Sequence, residues 1–274
     1  MSGEDQQTAR RLSGAEVEAL FARHVAVNDS DAYLRRYEGF NFVQRFGPEA
    51  VCVMEFPRLV AVLEFERLVA AHGIRAERVL MLNGGPAGDP ELAFLPREDV
   101  EFGDHEVDPE RYDLHALRVD RRDYDFVLVS QTLEHLYNPL LALQNLARVM
   151  VVGGHVWTSV PTVSLQHQLP HHFTTGFTPI GLVCAFEQTG FEVMSVGQWG
   201  NAKYVSQLFD LDVIPGYYDL VRATQPIRGV RHLLRLLRRV SPANFVADGT
   251  RNNFAKPVQT WVLARKRPVP ARKA

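Results

Sequence analysis

The stretch Tyr124-Asp125-Phe126-Val127-Leu128-Val129-Ser130-Gln131-Thr132-Leu133-Glu134-His135-Leu136 decides the fold. Residues 126–129 are apolar without alternation, the pattern of a strand covered on both faces. Such strands occur where helices pack on each side of a parallel sheet. Immediately downstream, Asn138-Pro139 is a helix start, a capping side chain followed by a proline at the first helical position. Leu140, Leu141, Leu143, Leu146, Val149 and Met150 continue the helical periodicity, and Gly153-Gly154 is expected to stop it.

The same alternation continues in both directions. Downstream, residues 155–160 read as a strand closed by Pro161, Thr178-Pro179 opens a helix that stops at Gly190, and residues 191–196 and 258–264 read as two further strands. Upstream, residues 78–82 form a short apolar strand feeding Asn83-Gly84-Gly85-Pro86-Ala87-Gly88; a short helix at 90–95 and a weak strand at 99–102 follow. Strands alternating with helices predict a Rossmann-like, doubly wound α/β fold with a mainly parallel sheet. Residues 1–75 read as a helical N-terminal cap. In it, Ser13 and Glu16 have capping-box spacing, and residues 57–72 carry Leu59, Val60, Leu63, Leu68 and Val69 on an apolar side before Gly73. Residues 76–274 read as the core, with a helical insertion at about 209–256 before the last strand.

Composition narrows the class of partner. The 274 residues are 46% hydrophobic and 23% charged, as in an ordinary globular protein. The formal charge of -2 gives no electrostatic reason to expect a nucleic acid. Cys52 and Cys184 stand far apart in apolar surroundings, so neither a disulfide framework nor a zinc-finger spacing can be built. No run is long enough to span a membrane, and residues 1–11 are polar, unlike a secretory signal. A cytoplasmic protein is the expectation.

In open α/β sheets, ligands bind beyond the carboxyl ends of the strands. Gly84, Gly85 and Gly88 follow the first strand and allow close backbone approach to a ligand. About 20 residues on, Asp104 is placed to take a ribose hydroxyl, with Glu101 and Glu106 as rivals. Residues 124–136, followed by Leu146-Ala147-Arg148-Val149-Met150, Gly153-Gly154-His155-Val156 and Val160-Pro161, resemble the class I S-adenosylmethionine-dependent methyltransferases. The branch in question carries a signature with Leu-Glu-His ahead of Gly-Gly. The resemblance extends over roughly residues 78–200 and 258–266.

That resemblance implies S-adenosyl-L-methionine as cofactor. Asn83, Gly84, Gly85 and Gly88 would meet its methionine part, Asp104 its ribose, Asp113 and Leu114 its adenine, and Ser130 and Gln131 would line it facing the acceptor. A sulfonium methyl is already a good electrophile, so the protein mainly positions the reactants; a base is needed only for a hydroxyl or a protonated amine. His135, His171 and His172 are the candidates, with His167 behind them. His135 has a competing role as a helix-start residue. The histidine pair has no carboxylate at ligand spacing, so no metal is expected.

Trp199, beside Gln198 and Asn201, is open to two readings, contact with a polar ring or packing at the sheet end. Tyr217-Tyr218 is placed to cover the acceptor site. Residues 229–240 form a basic amphipathic helix, either packed on the sheet by its leucines or lying on a membrane surface or anionic carrier. The N-terminal helices and the insertion would supply a substrate lid or a homodimer surface.

The leading expectation is a methyltransferase acting on a hydroxyl, less favourably an amine, of a small molecule such as a sugar or secondary metabolite. Asn83 and Pro86, unusual in a glycine-rich turn, keep open a non-methylating reaction such as cyclisation, or a non-catalytic partner role. A third reading is an assembly protein acting through residues 229–240.

Overall fold

The computed structural model describes residues 9–27, 36–37, 40–42, 44–47, 56–83, 89–200 and 258–268. Gly84, Gly85 and Gly88, the Tyr217-Tyr218 pair, the 209–256 insertion with the helix expected at 229–240, and Cys52 lie outside these residues. The chain divides into two compact units. The first comprises Met1–Asn28, Ala61–Gly197 and Thr260–Ala274; the second comprises Asp29–Val60 and Gln198–Gln259.

The elements run in the order α1 (Gly14–Leu20), a π-helical turn (Phe21–Val25), α2 (Phe56–His72), β1 (Ala76–Leu82), a 3-10 turn (Pro90–Phe94) and β2 (Arg97–Gly103). Then come α3 (Pro109–Tyr112), β3 (Tyr124–Leu128), a second 3-10 turn (Leu133–His135), α4 (Pro139–Val149), β4 (Met150–Pro161), α5 (Pro179–Gln188), β5 (Phe191–Trp199) and β6 (Gln259–Lys266).

The six strands form one sheet in the order β2-β1-β3-β4-β6-β5. β1 pairs in parallel with β2 and with β3, and β3 in parallel with β4. β5 and β6 run antiparallel: the Val258 N–H donates to the Trp199 carbonyl at 2.8 Å and the Arg267 N–H to the Gly190 carbonyl at 2.9 Å. The strand order reverses at β1, whose neighbours are β2 on one side and β3 on the other. That reversal makes a switch point, and it bears out the doubly wound α/β expectation.

Alternation along the strands assigns the two faces. Phe126 meets Phe65 of α2 at 6.0 Å between ring centroids, and Phe65 meets Trp157 at 5.0 Å. The intervening positions, Val127, Val129, Val156 and Val160, join Leu143 and Leu146 of α4 and Leu182 and Phe186 of α5 in a separate buried cluster that also includes Val25. Helix α2 is more buried than an amphipathic reading requires. Leu59, Val60, Ala61, Val62, Glu64 and Phe65 are all fully covered, as in a helix apolar on every side, and Glu64 is paired with Arg67 at 2.8 Å.

Local signals set most boundaries. Ser13 and Glu16 form the capping box, and Asn138 and Thr178 cap α4 and α5, each ahead of a proline. The Gly153-Gly154 pair does not end α4. The helix stops at Val149, and β4 already begins at Met150, where the register against β3 slips between Tyr124 and Phe126. The glycines serve that bulge: Gly153 has φ 85°, and a Cβ on Gly154 would come within 3.2 Å of the Asp125 carbonyl. Asp125 also clamps the start of β1, accepting from the Glu77 N–H at 2.7 Å and the Arg78 N–H at 3.0 Å.

In the second unit, Tyr37, Phe40, Phe42 and Phe46 form a chain of aromatic contacts. Trp199 and Gln198 are buried there, which favours packing at the sheet end over an exposed platform. Among the described residues no helix is long and apolar enough to cross a membrane.

Candidate active site at the carboxyl edge of the sheet

Asn83 leaves β1 at the switch point with φ 58°, a left-handed conformation that Asn tolerates better than most residues. Its backbone N–H donates to the Gly103 carbonyl at 2.7 Å. Its side chain accepts from the His105 N–H at 3.4 Å and donates to the Thr132 hydroxyl at 3.4 Å. One residue thus ties together the carboxyl ends of β1, β2 and β3.

Asp104 follows β2 directly. Its carboxylate accepts from the Glu106 N–H at 2.9 Å, and its carbonyl accepts from Val107 and Asp108. It is half-buried at the rim of the switch point. Glu101, its rival in the sequence, is committed elsewhere. It accepts from Arg111 at 2.8 Å, from the Tyr112 hydroxyl at 3.1 Å and from the Tyr124 hydroxyl. Burial, then the Glu101 hydrogen bond and charge, push the Tyr124 phenol well above its ordinary range. Glu106 is exposed. Of the three acids, Asp104 is the half-buried one that lies directly beyond the strand end.

Asp113 is organised by His115. The carboxylate accepts from the His115 backbone N–H at 2.8 Å and lies 3.0 Å from its Nδ1. The Asn138 N–H donates to His115 Nε2 at 3.3 Å, so Nδ1 carries the hydrogen. The His115 ring stacks on Tyr137 at 3.8 Å between centroids. The Leu114 side chain enters the core, and its carbonyl accepts from Asn145 at 2.8 Å.

Beyond β3, the Ser130 hydroxyl donates to Glu91 at 3.3 Å, and Trp157 Nε1 donates to the same carboxylate oxygen at 3.4 Å. Glu91 is fully buried and was not singled out in the sequence; an acid inside the short turn after the glycine-rich loop is its only local signal. Gln131 has φ 52°, and both its backbone and side-chain N–H groups donate to the Ser159 carbonyl.

The connection from β4 to α5 closes on itself. The Phe177 N–H donates to the Pro161 carbonyl at 2.9 Å and the Ser164 N–H to the Thr175 carbonyl at 2.7 Å. The Phe173 and Thr174 N–H groups donate to the Glu134 carbonyl, which holds the loop to the 3-10 turn after β3. This brings together the rings of His135, His167 and His172, with centroids 4.6–5.6 Å apart. His171 is exposed and its ring is not one of the trio; its carbonyl lies 2.6 Å from His135 Nδ1. Burial lowers the pKa of both His135 and His172 below the ordinary histidine value; for His135 the hydrogen bond to the His171 carbonyl offsets this in part and neighbouring imidazoles add to it, and for His172 His167 adds to it. His167 ranked behind the other histidines in the sequence. Only the closed loop reveals that it, rather than His171, joins the cluster.

Residues 91–158 match the family described as "Methyltransferase domain", about a quarter of the chain. The matched segment contains the 124–136 stretch and the Gly153-Gly154 pair, and it bears out the resemblance to S-adenosylmethionine-dependent methyltransferases. No curated protein sequence matches the chain. Similar solved structures include a putative sarcosine dimethylglycine methyltransferase from Galdieria sulphuraria, 15% identical, covering 87% of this chain and 98% of that one with a TM-score of 0.44. Another is a SAM-dependent methyltransferase from Archaeoglobus fulgidus, 15% identical, covering 82% and 100% with a TM-score of 0.43. A third is the cyclase SpnF, 15% identical, covering 80% and 85% with a TM-score of 0.43.

Proposed function

We propose that the protein is an S-adenosyl-L-methionine-dependent methyltransferase that modifies a hydroxyl, or less favourably an amine, of a small molecule such as a sugar or secondary metabolite. The observation that carries this reading is the switch point between β1 and β3: Asn83, Asp104 and the Ser130-Gln131 pair follow the carboxyl ends of β1, β2 and β3, and the last three lie in the segment that matches the methyltransferase domain. The described residues suit the cofactor: Asp104 for the ribose diol, Asp113 beside the His115–Tyr137 stack for the adenine side, and Asn83, which opens the glycine-rich sequence, for the methionine end.

When bound, the cofactor supplies a methyl group on a positively charged sulfur. The chain's own residues position the partners and handle one proton. Gln131, locked to Ser159, fixes the path of the backbone leaving β3, and Ser130 is oriented by Glu91. An acceptor hydroxyl entering over the β4–α5 loop meets His135 and His172, with His171 at the loop surface; these imidazoles are assigned to take its proton. Acceptor selection is assigned to residues 1–75 and to the 209–256 insertion, in a cytoplasmic setting.

Incubation with methyl-labelled cofactor and a panel of hydroxyl and amine acceptors tests the reading. Label recovered on an acceptor oxygen is the expected result; label absent from every product, with the cofactor consumed by none, counts against it. A second reading is favoured by Asn83 itself, which fills with a tethered side chain the place where the family normally has glycine. In that reading the cofactor binds but the reaction is a cyclisation or another non-methylating step, and substrate turns over without acquiring label.

A further inference from the structure

We propose that His135, His167 and His172 form a site for a divalent first-row transition-metal ion of the Zn2+ class, with a fourth position open to water or to the oxygen of the acceptor. One ring nitrogen from each histidine lies within 4.8 Å of the other two. A tetrahedral ion at zinc–nitrogen distances of about 2.0–2.1 Å needs its ligands about 3.4 Å apart, a contraction within reach of small side-chain rotations.

The hydrogen bonds around the rings already select the ligating form. His135 Nδ1 lies 2.6 Å from the His171 carbonyl oxygen, and His167 Nδ1 lies 2.8 Å from the Leu165 carbonyl oxygen. A carbonyl only accepts, so Nδ1 carries a hydrogen in both rings, which leaves Nε2 as the nitrogen that a neutral ring offers to an ion. This arrangement, one imidazole nitrogen donating to a backbone carbonyl while the other faces the ion, is the usual support of a metal-binding histidine. His172 provides the independent observation. Both of its ring nitrogens are shielded from solvent, and neither has a hydrogen-bond partner among the described residues. A polar ring held without a partner between two other imidazoles is costly unless something binds it.

Three nitrogen ligands choose the metal. Magnesium and calcium require oxygen ligands, whereas imidazoles suit zinc, copper, nickel and iron. Among the described residues no carboxylate joins the cluster, so three histidines leave a tetrahedral ion with a free position, as in catalytic rather than structural zinc sites. The cluster itself stands on the geometry of the three rings. Only the role of the fourth position rests on the methyltransferase reading: with the ion bound, His135 and His172 are ligands instead of proton acceptors, and a coordinated hydroxyl would ionise more readily than a free one.

The test uses tag-free, chelator-treated full-length protein titrated with Zn2+ against a competing indicator, with Mg2+ as the control ion and Co2+ as a spectroscopic probe. One Zn2+ per chain is expected, with no Mg2+ binding, and intense tetrahedral Co2+ absorption. His167→Ala and His172→Ala should each weaken binding roughly 100-fold or more. His171→Ala should leave it unchanged, because its contribution is a backbone carbonyl. Circular dichroism checks each variant, and His167→Gln and His172→Gln replace any that fails to fold. Absence of Zn2+ binding, equal binding in folded variants, or a weak octahedral Co2+ spectrum would overturn the proposal. Binding of the cofactor product, measured separately by calorimetry without metal, tells failure of the metal site apart from failure of the methyltransferase reading.

Discussion

Asn83 Nδ2 donates to the Thr132 hydroxyl across the β1–β3 switch point at 3.4 Å, while its Oδ1 accepts from the His105 backbone N–H. The residue that departs from glycine therefore acts as a brace between three strand ends. Asn83→Gly keeps the left-handed backbone and loses the brace, whereas Asn83→Ala loses both. The alanine variant is expected to be less stable than the glycine variant by about 1–2 kcal/mol in urea unfolding. Equal stability of the two would show that the φ of 58° imposes no constraint.

Glu101 and Asp104 lie three residues apart and are expected to separate stability from binding. Glu101→Ala strips the buried Tyr124 hydroxyl, Tyr112 and Arg111 of a shared acceptor, a loss of about 2–4 kcal/mol in denaturation midpoint experiments. Asp104→Ala removes a half-buried rim carboxylate. It should leave the midpoint nearly unchanged while weakening affinity for S-adenosylhomocysteine at least tenfold. The opposite assignment, Glu101 governing affinity and Asp104 governing stability, would exchange their roles.

Two histidines outside the cluster set an acid dependence. Burial lowers the pKa of His24, partly offset by the charge of Glu187; burial also lowers that of His155, reinforced by Arg265. A histidine with a depressed folded-state pKa binds fewer protons folded than unfolded once the pH drops below about 6.5. Stability is therefore full above that value and declines as pH falls through it. Melting temperatures from pH 7.5 to 5.5 should decrease, and the slope should flatten in His155→Gln. A flat wild-type profile across that window would contradict the assignment.

The parts of the fold legible in the sequence are those specified locally. An unbroken apolar run marks β3, and a capping residue followed by proline marks the starts of α4 and α5; each signal lies within a few residues. Features set by distant partners were less legible. Gly153-Gly154 reads as a helix stop in isolation and becomes a strand bulge only because Asp125 of β3 approaches it. The antiparallel pairing of β5 with β6 joins residues that a long insertion separates in the chain. At the site, Glu101, Asp104 and Glu106 are indistinguishable as acids in sequence; the phenols of Tyr112 and Tyr124 single out Glu101 as structural. The histidine trio joins position 135 to positions 167 and 172, and the closure of the β4–α5 loop creates it.

Calorimetric titration of the tag-free protein with S-adenosylhomocysteine most directly tests the central claim. Saturable binding at one site per chain is expected, weakened at least tenfold by Asp104→Ala in a variant that remains folded. No binding heat at any temperature tried, or binding that Asp104→Ala leaves intact, would contradict a cofactor site at the β1–β3 switch point.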